Sequence, residues 1–395
     1  MATNPPVRGR VIVSGIAFLN PVAGVLYQAL HYLIGLRDLG YDVWYVEDTD
    51  WWSLDPCTGT FSPDPSASIA VVAPVLERHG FGGRWAYRRA HAPEEPRGCW
   101  GLDESTVLRL YRECDAWLSV TGSQTVWEEI GAAPVRIQVE SDPISSQIDV
   151  ACGVTDTIDH LDAHDLHFTF GETLGHDGCE IPLGGYRWRP TRQPVVLDLW
   201  RTQDPPQHDR FTTITSWHDD NKDREWAGEP YRWTKDEEFF RVLDLPGRRP
   251  GRFELAVTEE VEPDRARLEG AGWRLRDAHG LSADCGPYRD YIEGSYGEFT
   301  VAREQYTKPR TGWFSDRSAC YLAAGRPVIT QETGFSEVLP CGHGLYAWTT
   351  FEEALAAADA IDADPVAARA GALEVAVEHF AADRVLSALM SEAGL

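Results

Sequence analysis

Lysine is almost absent from this chain, methionine occurs twice, and no two of its cysteines form a Cys-x-x-Cys pair. The cysteines (Cys57, Cys99, Cys114, Cys152, Cys179, Cys285, Cys320 and Cys341) are scattered, which suggests neither a zinc ribbon nor a disulfide framework. No apolar run reaches the roughly 18 residues needed to cross a bilayer, so no integral membrane segment is expected. The N-terminal stretch MATNPPVRGRVIVSGIAFL has a basic start and an apolar run, but Gly15 and Asn20 interrupt it and it lacks a small-residue cleavage pattern. A cytoplasmic protein is the expectation. Positive charge is also short: 36 Lys and Arg face 62 Asp and Glu, a formal net charge of −26. Such a surface repels nucleic acid phosphate and anionic lipid, and the expectation is that neither is a partner. Solubility is the plain reading of this charge, and electrostatic steering of a cationic acceptor such as an amino sugar is the sharper one.

Single cores rarely grow beyond about 250 to 300 residues, so 395 residues imply two domains with a cleft between them. From the start, strand-like and helix-like stretches alternate, the pattern of an α/β fold with parallel sheets covered on both faces. Residues 10–19 and 41–46 read as strands around a helix over 22–39, with further strands over 116–120, 135–139 and 166–170 and helices near 67–79 and 104–114. Residues 184–208, rich in proline and arginine, read as the connection between lobes. Past it, strands are expected at 211–215, 253–257, 272–277, 327–330 and 345–348, and amphipathic helices at 351–361 and 365–390. The expected domains are residues 1–195, residues 205–370 and a closing helix over 371–395.

The segment TGWFSDRSACYLAAGRPVITQETGFSEVLP, residues 311–340, reads as loop, helix, buried strand and second glycine loop. Gly312 lets the chain turn and Ser315 is positioned to cap a helix. Asp316, Arg317 and Ser318 fall in its first turn, where backbone N–H groups and the helix dipole favour an anion. Gly325 ends the helix. Gln331, Glu332, Thr333 and Gly334 then form a loop at the carboxyl end of a strand, where open α/β sheets hold ligands. A diphosphate would be well placed here.

This segment resembles the donor-binding part of glycosyltransferases with the GT-B fold, with LAAGRPVIT and QETGFSE as the matching stretches. Together with FTTITSW, GEFTVAREQY and the ending FAADRVLSALM, it is similar to a bacterial subgroup often found beside natural-product or cell-surface sugar genes. The resemblance implies two Rossmann-like lobes facing each other across a cleft. The second lobe would bind a nucleotide diphosphate sugar, and the first a small-molecule or glycan acceptor. Cys320 and Tyr321 stand where such families place a ribose-binding glutamate, and the paired glutamates of many retaining members are missing. The donor is a substrate, and neither a cofactor nor a metal is expected.

Other candidates come from the residues themselves. The loop GIAFLNPVAG precedes a helix, so Asn20 and Gly24 are acceptor-side candidates, as is Asp48 at the end of the second strand. Trp51 and Trp52 suggest sugar stacking. Asn20 occupies the place where many inverting relatives carry a catalytic histidine or aspartate, so a base is sought elsewhere. Asp142, just past a strand, is the candidate general base, with a turn aspartate before proline as the alternative. Ser216, Trp217 and Lys222 in SWHDDNKD suit a diphosphate or a nucleobase, and Arg303 in GEFTVAREQY could neutralise donor phosphate charge. The run TDTIDHLDAHDLH clusters His160, His164 and Asp165, which supports a rival reading as a metal-dependent hydrolase. Further alternatives are a nucleotide-sugar 2-epimerase of the same fold and an inactive sugar-nucleotide-binding partner protein.

Overall fold

The computed structural model describes residues 8–395 except positions 57 and 203. The first seven residues of the stretch weighed as a leader, and Cys57, lie outside the described residues. Two sheets organise the chain. The first has eight strands in the order Trp188–Pro190, Leu166–Thr169, Arg136–Glu140, Ala116–Val120, Arg10–Ser14, Asp42–Asp48, Trp85–Arg88 and Cys99–Gly101. All neighbours are parallel except the last pair. The second has six strands, all parallel: Arg274–Asp277, Phe253–Val257, Phe211–Thr215, Gly297–Thr300, Val328–Gln331 and Leu345–Trp348.

Parallel strands are covered on both faces by their crossover helices, and the sequence follows that demand. Ala116–Val120, Phe211–Thr215 and Phe253–Val257 are buried throughout. Central strand Gly297–Thr300 is buried throughout as well, yet its sequence GEFT does not announce a core strand, because Glu298 interrupts the apolar pattern. Arg317 explains the exception, since its guanidinium Nε donates to Glu298 Oε1 at 2.6 Å in a site where Glu298 is fully buried. In the proline- and arginine-rich connection, Trp188–Pro190 joins the sheet as an edge strand, the place where a proline lacking an N–H is tolerated.

An extensive apolar cluster runs through both lobes. Tyr27, on helix Ala23–Asp38 of the first lobe, lies 4.6 Å from the Trp200 ring and 6.0 Å from that of Tyr288 in the second, and its hydroxyl donates to Cys285 O at 3.1 Å. The chain's end returns to this region. Val195 pairs with Ala381, and helix Ala382–Glu392 packs on helix Ala23–Asp38 at Gly35, where an added Cβ would come within 2.5 Å of Leu386. Only glycine allows that approach. Among the described residues no helix is long and apolar enough to cross a membrane.

Candidate active site in the interlobe cleft

Loops at the carboxyl ends of both sheets meet around a cavity of about 200 Å³. Ile16, Thr121, Ser141 and Asp142 line it from the first lobe, and Lys222, Trp313 and Asp316 from the second. Thr121 holds a left-handed backbone at φ 79°, a costly conformation for a residue other than glycine that tends to persist at functional sites.

Asp142 bridges the lobes. Tyr306 donates its hydroxyl to Oδ1 at 2.8 Å and Lys222 Nζ reaches Oδ2 at 3.5 Å. Burial opposes the charged carboxylate, but Lys222, Arg303 and the Tyr306 hydroxyl outweigh it and hold Asp142 below its ordinary range. Its two oxygens are therefore anionic and already engaged. Asp316, on the cavity's opposite wall, accepts from the Arg317 backbone N–H at 2.8 Å. Burial pushes this carboxyl up, and the charge on Asp142 adds to the shift.

The expected phosphate residues separate into two groups. Arg317 faces inward: beyond Glu298, it donates to Ile214 O at 2.7 Å and Thr300 Oγ1 at 3.0 Å. Gln331 bonds Glu238 and the Ala302 N–H, Thr333 donates to Trp313 O at 2.5 Å, and Glu332 accepts from the Gly334 N–H. Trp217 is a core residue, fully buried against Phe239 with its indole N–H on Asp264. Ser318 is buried, with no partner for its hydroxyl among the described residues. Ser315 precedes helix Asp316–Ala323 in the N-cap position, but its side chain makes no capping bond. Gly312 is required by geometry, since at φ 76° an added Cβ would come within 2.7 Å of the Thr173 N of the facing lobe.

The second group is cationic. Arg303 stacks 3.7 Å over the Trp233 ring and donates to Ser216 Oγ at 3.3 Å, while Lys222 Nζ lies 4.5 Å from the centroid of the same ring. Lys235, which the sequence pattern did not single out, completes it. It is 6 % exposed and its ammonium donates to Thr215 Oγ1 at 3.1 Å, at the carboxyl end of strand Phe211–Thr215. Burial, with Arg303 and Arg317 nearby, pushes its pKa well below the ordinary lysine value. The scarcity of lysine in this chain was the available signal.

On the acceptor side, Gly24 brings the first lobe's helix to within 3.4 Å of Tyr288 for a notional Cβ. Asn20 lies in the loop turn, its N–H on Ile16 O. Asp48 does not face the cleft. It is buried in an ion pair with Arg88 at 2.7 Å, and burial, against the opposing pull of Arg88, lifts it to about 6. In the histidine run, His160 and His164 lie with ring centroids 4.8 Å apart and His164 stacks on Trp117, whereas Asp165 turns away to a two-point pair with Arg136. These three residues share no common point, and the hydrolase reading loses its ligand set.

No family model matches the chain, and no curated protein matches it. Solved structures do. An alpha-glucosyltransferase in complex with UDP and a 13-mer DNA containing an HMU base matches with a TM-score of 0.58 and 9% identity, over 98% of this chain and 99% of that one. AviGT4, a glycosyltransferase involved in avilamycin A biosynthesis, matches with a TM-score of 0.52 and 10% identity, over 98% and 97% of the two chains. Anabaena Alr3699/HepE in complex with UDP gives a TM-score of 0.55 and 10% identity, over 97% and 100%. The chain has the GT-B fold of these structures, two Rossmann-like lobes. One expectation is corrected. The net charge argued against a nucleic acid partner, yet a structure of this fold over nearly the whole chain holds DNA. A charge summed over the entire surface does not describe the potential inside one cleft, so it excludes no such partner.

Proposed function

We propose that this protein is a glycosyltransferase that moves a sugar from a nucleoside diphosphate sugar to an acceptor hydroxyl within the interlobe cleft. One observation carries the reading: a buried lysine amine that donates to Thr215 Oγ1 at the carboxyl end of a parallel strand, with burial and the neighbouring Arg303 and Arg317 disfavouring its charged form until an anion arrives. A buried cation is costly unless an anion completes it. A diphosphate supplies that charge at the position where open α/β sheets take ligands. UDP in the matching structures supports uracil as the nucleobase.

In the proposed reaction the bond between the anomeric carbon and the diphosphate oxygen breaks while the acceptor oxygen bonds to that carbon. Lys235, Arg303 and the N-terminus of helix Asp316–Ala323, whose N-cap Ser315 makes no capping bond, stabilise the charge on the leaving diphosphate, with no divalent metal required. Asp142 takes the acceptor proton once the acceptor hydroxyl displaces Tyr306 from Oδ1. The neighbours suggest two acceptor classes to try, DNA containing an HMU base and a natural-product scaffold. The experiment is donor turnover: UDP-sugars incubated with each acceptor class, with and without EDTA. A glycosylated product that forms equally in EDTA supports the proposal. Epimerised sugar, or no turnover, contradicts it.

A further inference from the structure

Between Lys222 and Trp233 the second lobe carries a short antiparallel hairpin, Arg224–Trp226 with Glu229–Tyr231. Its turn is Ala227-Gly228, both with left-handed backbone at φ 54° and 82°, the two-residue geometry that matches strand twist. The hairpin is pinned at its base to its own lobe. Gln305 Nε2 donates to Lys222 O and Tyr231 O at 2.5 and 3.1 Å, and Lys308 Nζ donates to Glu229 at 3.0 Å. Asp223 holds the Trp233 N–H at 2.6 Å.

Its other face belongs to the first lobe. Arg224 makes a two-point ion pair with Asp149, Nε to Oδ1 at 2.6 Å and Nη2 to Oδ2 at 3.0 Å. Both side chains are largely sheltered, at 28% and 18% exposure, which makes the pair stronger than an open surface bridge. Trp226 and Tyr231 pack on a small apolar patch of Ile144, Ile148, Cys179 and Ile181. This patch is separate from the extensive cluster that joins the lobes. The hairpin therefore spans the cleft beside Asp142, and Lys222 at its root is the residue that reaches Asp142 Oδ2.

We infer that this hairpin is a clasp across the interlobe cleft, fastened by Arg224 on Asp149, that opens for a nucleotide to enter or leave and, when fastened, positions Lys222 beside Asp142. Arg224 and Asp149 are positioning residues, acting through Lys222 and through closure. The inference rests on the donor-site reading above.

The test is the dissociation rate of UDP, followed by stopped-flow tryptophan fluorescence, for the whole protein and for Arg224→Gln, Asp149→Asn and the swapped pair Arg224→Asp with Asp149→Arg. Each single change is expected to speed UDP release about five- to tenfold, and the swap to restore slow release, since truncating one partner of a sheltered charge pair acts mainly on dissociation. A purely structural role would lower the melting temperature without this reversal. If UDP binds but leaves all variants at the wild-type rate, the clasp is overturned while the donor site stands. If UDP does not bind the unaltered protein, both are overturned.

Discussion

The Tyr306 hydroxyl donates to Asp142 Oδ1 at 2.8 Å, joining the second lobe to a carboxylate just past the first-lobe strand Arg136–Glu140. This bond helps to hold Asp142 below its ordinary range. In Tyr306→Phe the carboxyl is expected to rise toward the usual aspartate value, and the interlobe link to weaken by about 1 kcal/mol. Sugar transfer that relies on ionised Asp142 then loses activity at a higher pH than in the parent. The acid limb of kcat/KM measures this, and a limb that stays in place removes Asp142 from the base role.

Arg317 was expected to meet phosphate, but its bonds to Glu298, Ile214 O and Thr300 give it a structural task. Arg317→Ala leaves Glu298 buried without its cation, and a stability loss of about 3 to 5 kcal/mol is expected. Urea unfolding reads the loss, and Glu298→Gln in the same background should recover part of it. Unchanged stability with weakened UDP binding would return Arg317 to the phosphate site.

Gly312→Ala places a Cβ within 2.7 Å of the Thr173 N and forces a left-handed backbone on alanine. The expected cost is about 1 to 3 kcal/mol, together with a lobe displacement that weakens UDP binding. Thermal unfolding and calorimetric titration of the same sample check both effects. A variant that keeps wild-type values in both would show that the lobes do not depend on this contact.

His31 and His164 are pushed down to about 3, chiefly by burial. Between that value and the ordinary 6.5 the unfolded chain binds more protons than the folded one, so their contribution is full above pH 6.5 and is lost as pH falls. Glu47, lifted by burial to about 8, and Asp48, to about 6, act in the opposite sense, so the total curve mixes both. His164→Gln isolates one contribution. Below pH 6 its stability should fall less steeply than the parent's, by up to about 1.4 kcal/mol per pH unit. Parallel curves would contradict the buried neutral histidine.

Much of the fold was legible because parallel strands announce themselves as apolar runs between helices, as in Ala116–Val120 and Phe253–Val257. Gly297–Thr300 was not, because the partner that neutralises Glu298 lies nineteen residues away in sequence. The candidate site draws on segments that the sequence singled out, and its individual contacts were not readable there. Asp142, Lys222 and Asp316 do meet at the cavity. Trp217 and Gln331, polar enough to suggest ligand contact, instead bond Asp264 and Glu238 within their own lobe. Lys235 follows no motif, and its role rests on burial beside two arginines, which only the tertiary structure reveals.

The central claim is that the cation group around Lys235 holds a nucleoside diphosphate. Calorimetric titration of UDP into the protein and into Lys235→Ala tests it most directly. The account predicts saturable binding by the parent and a loss of about 1.5 to 3 kcal/mol in the variant, the worth of a charge-assisted bond to a sheltered phosphate. Equal affinity in the two proteins, or no binding by either, would contradict it.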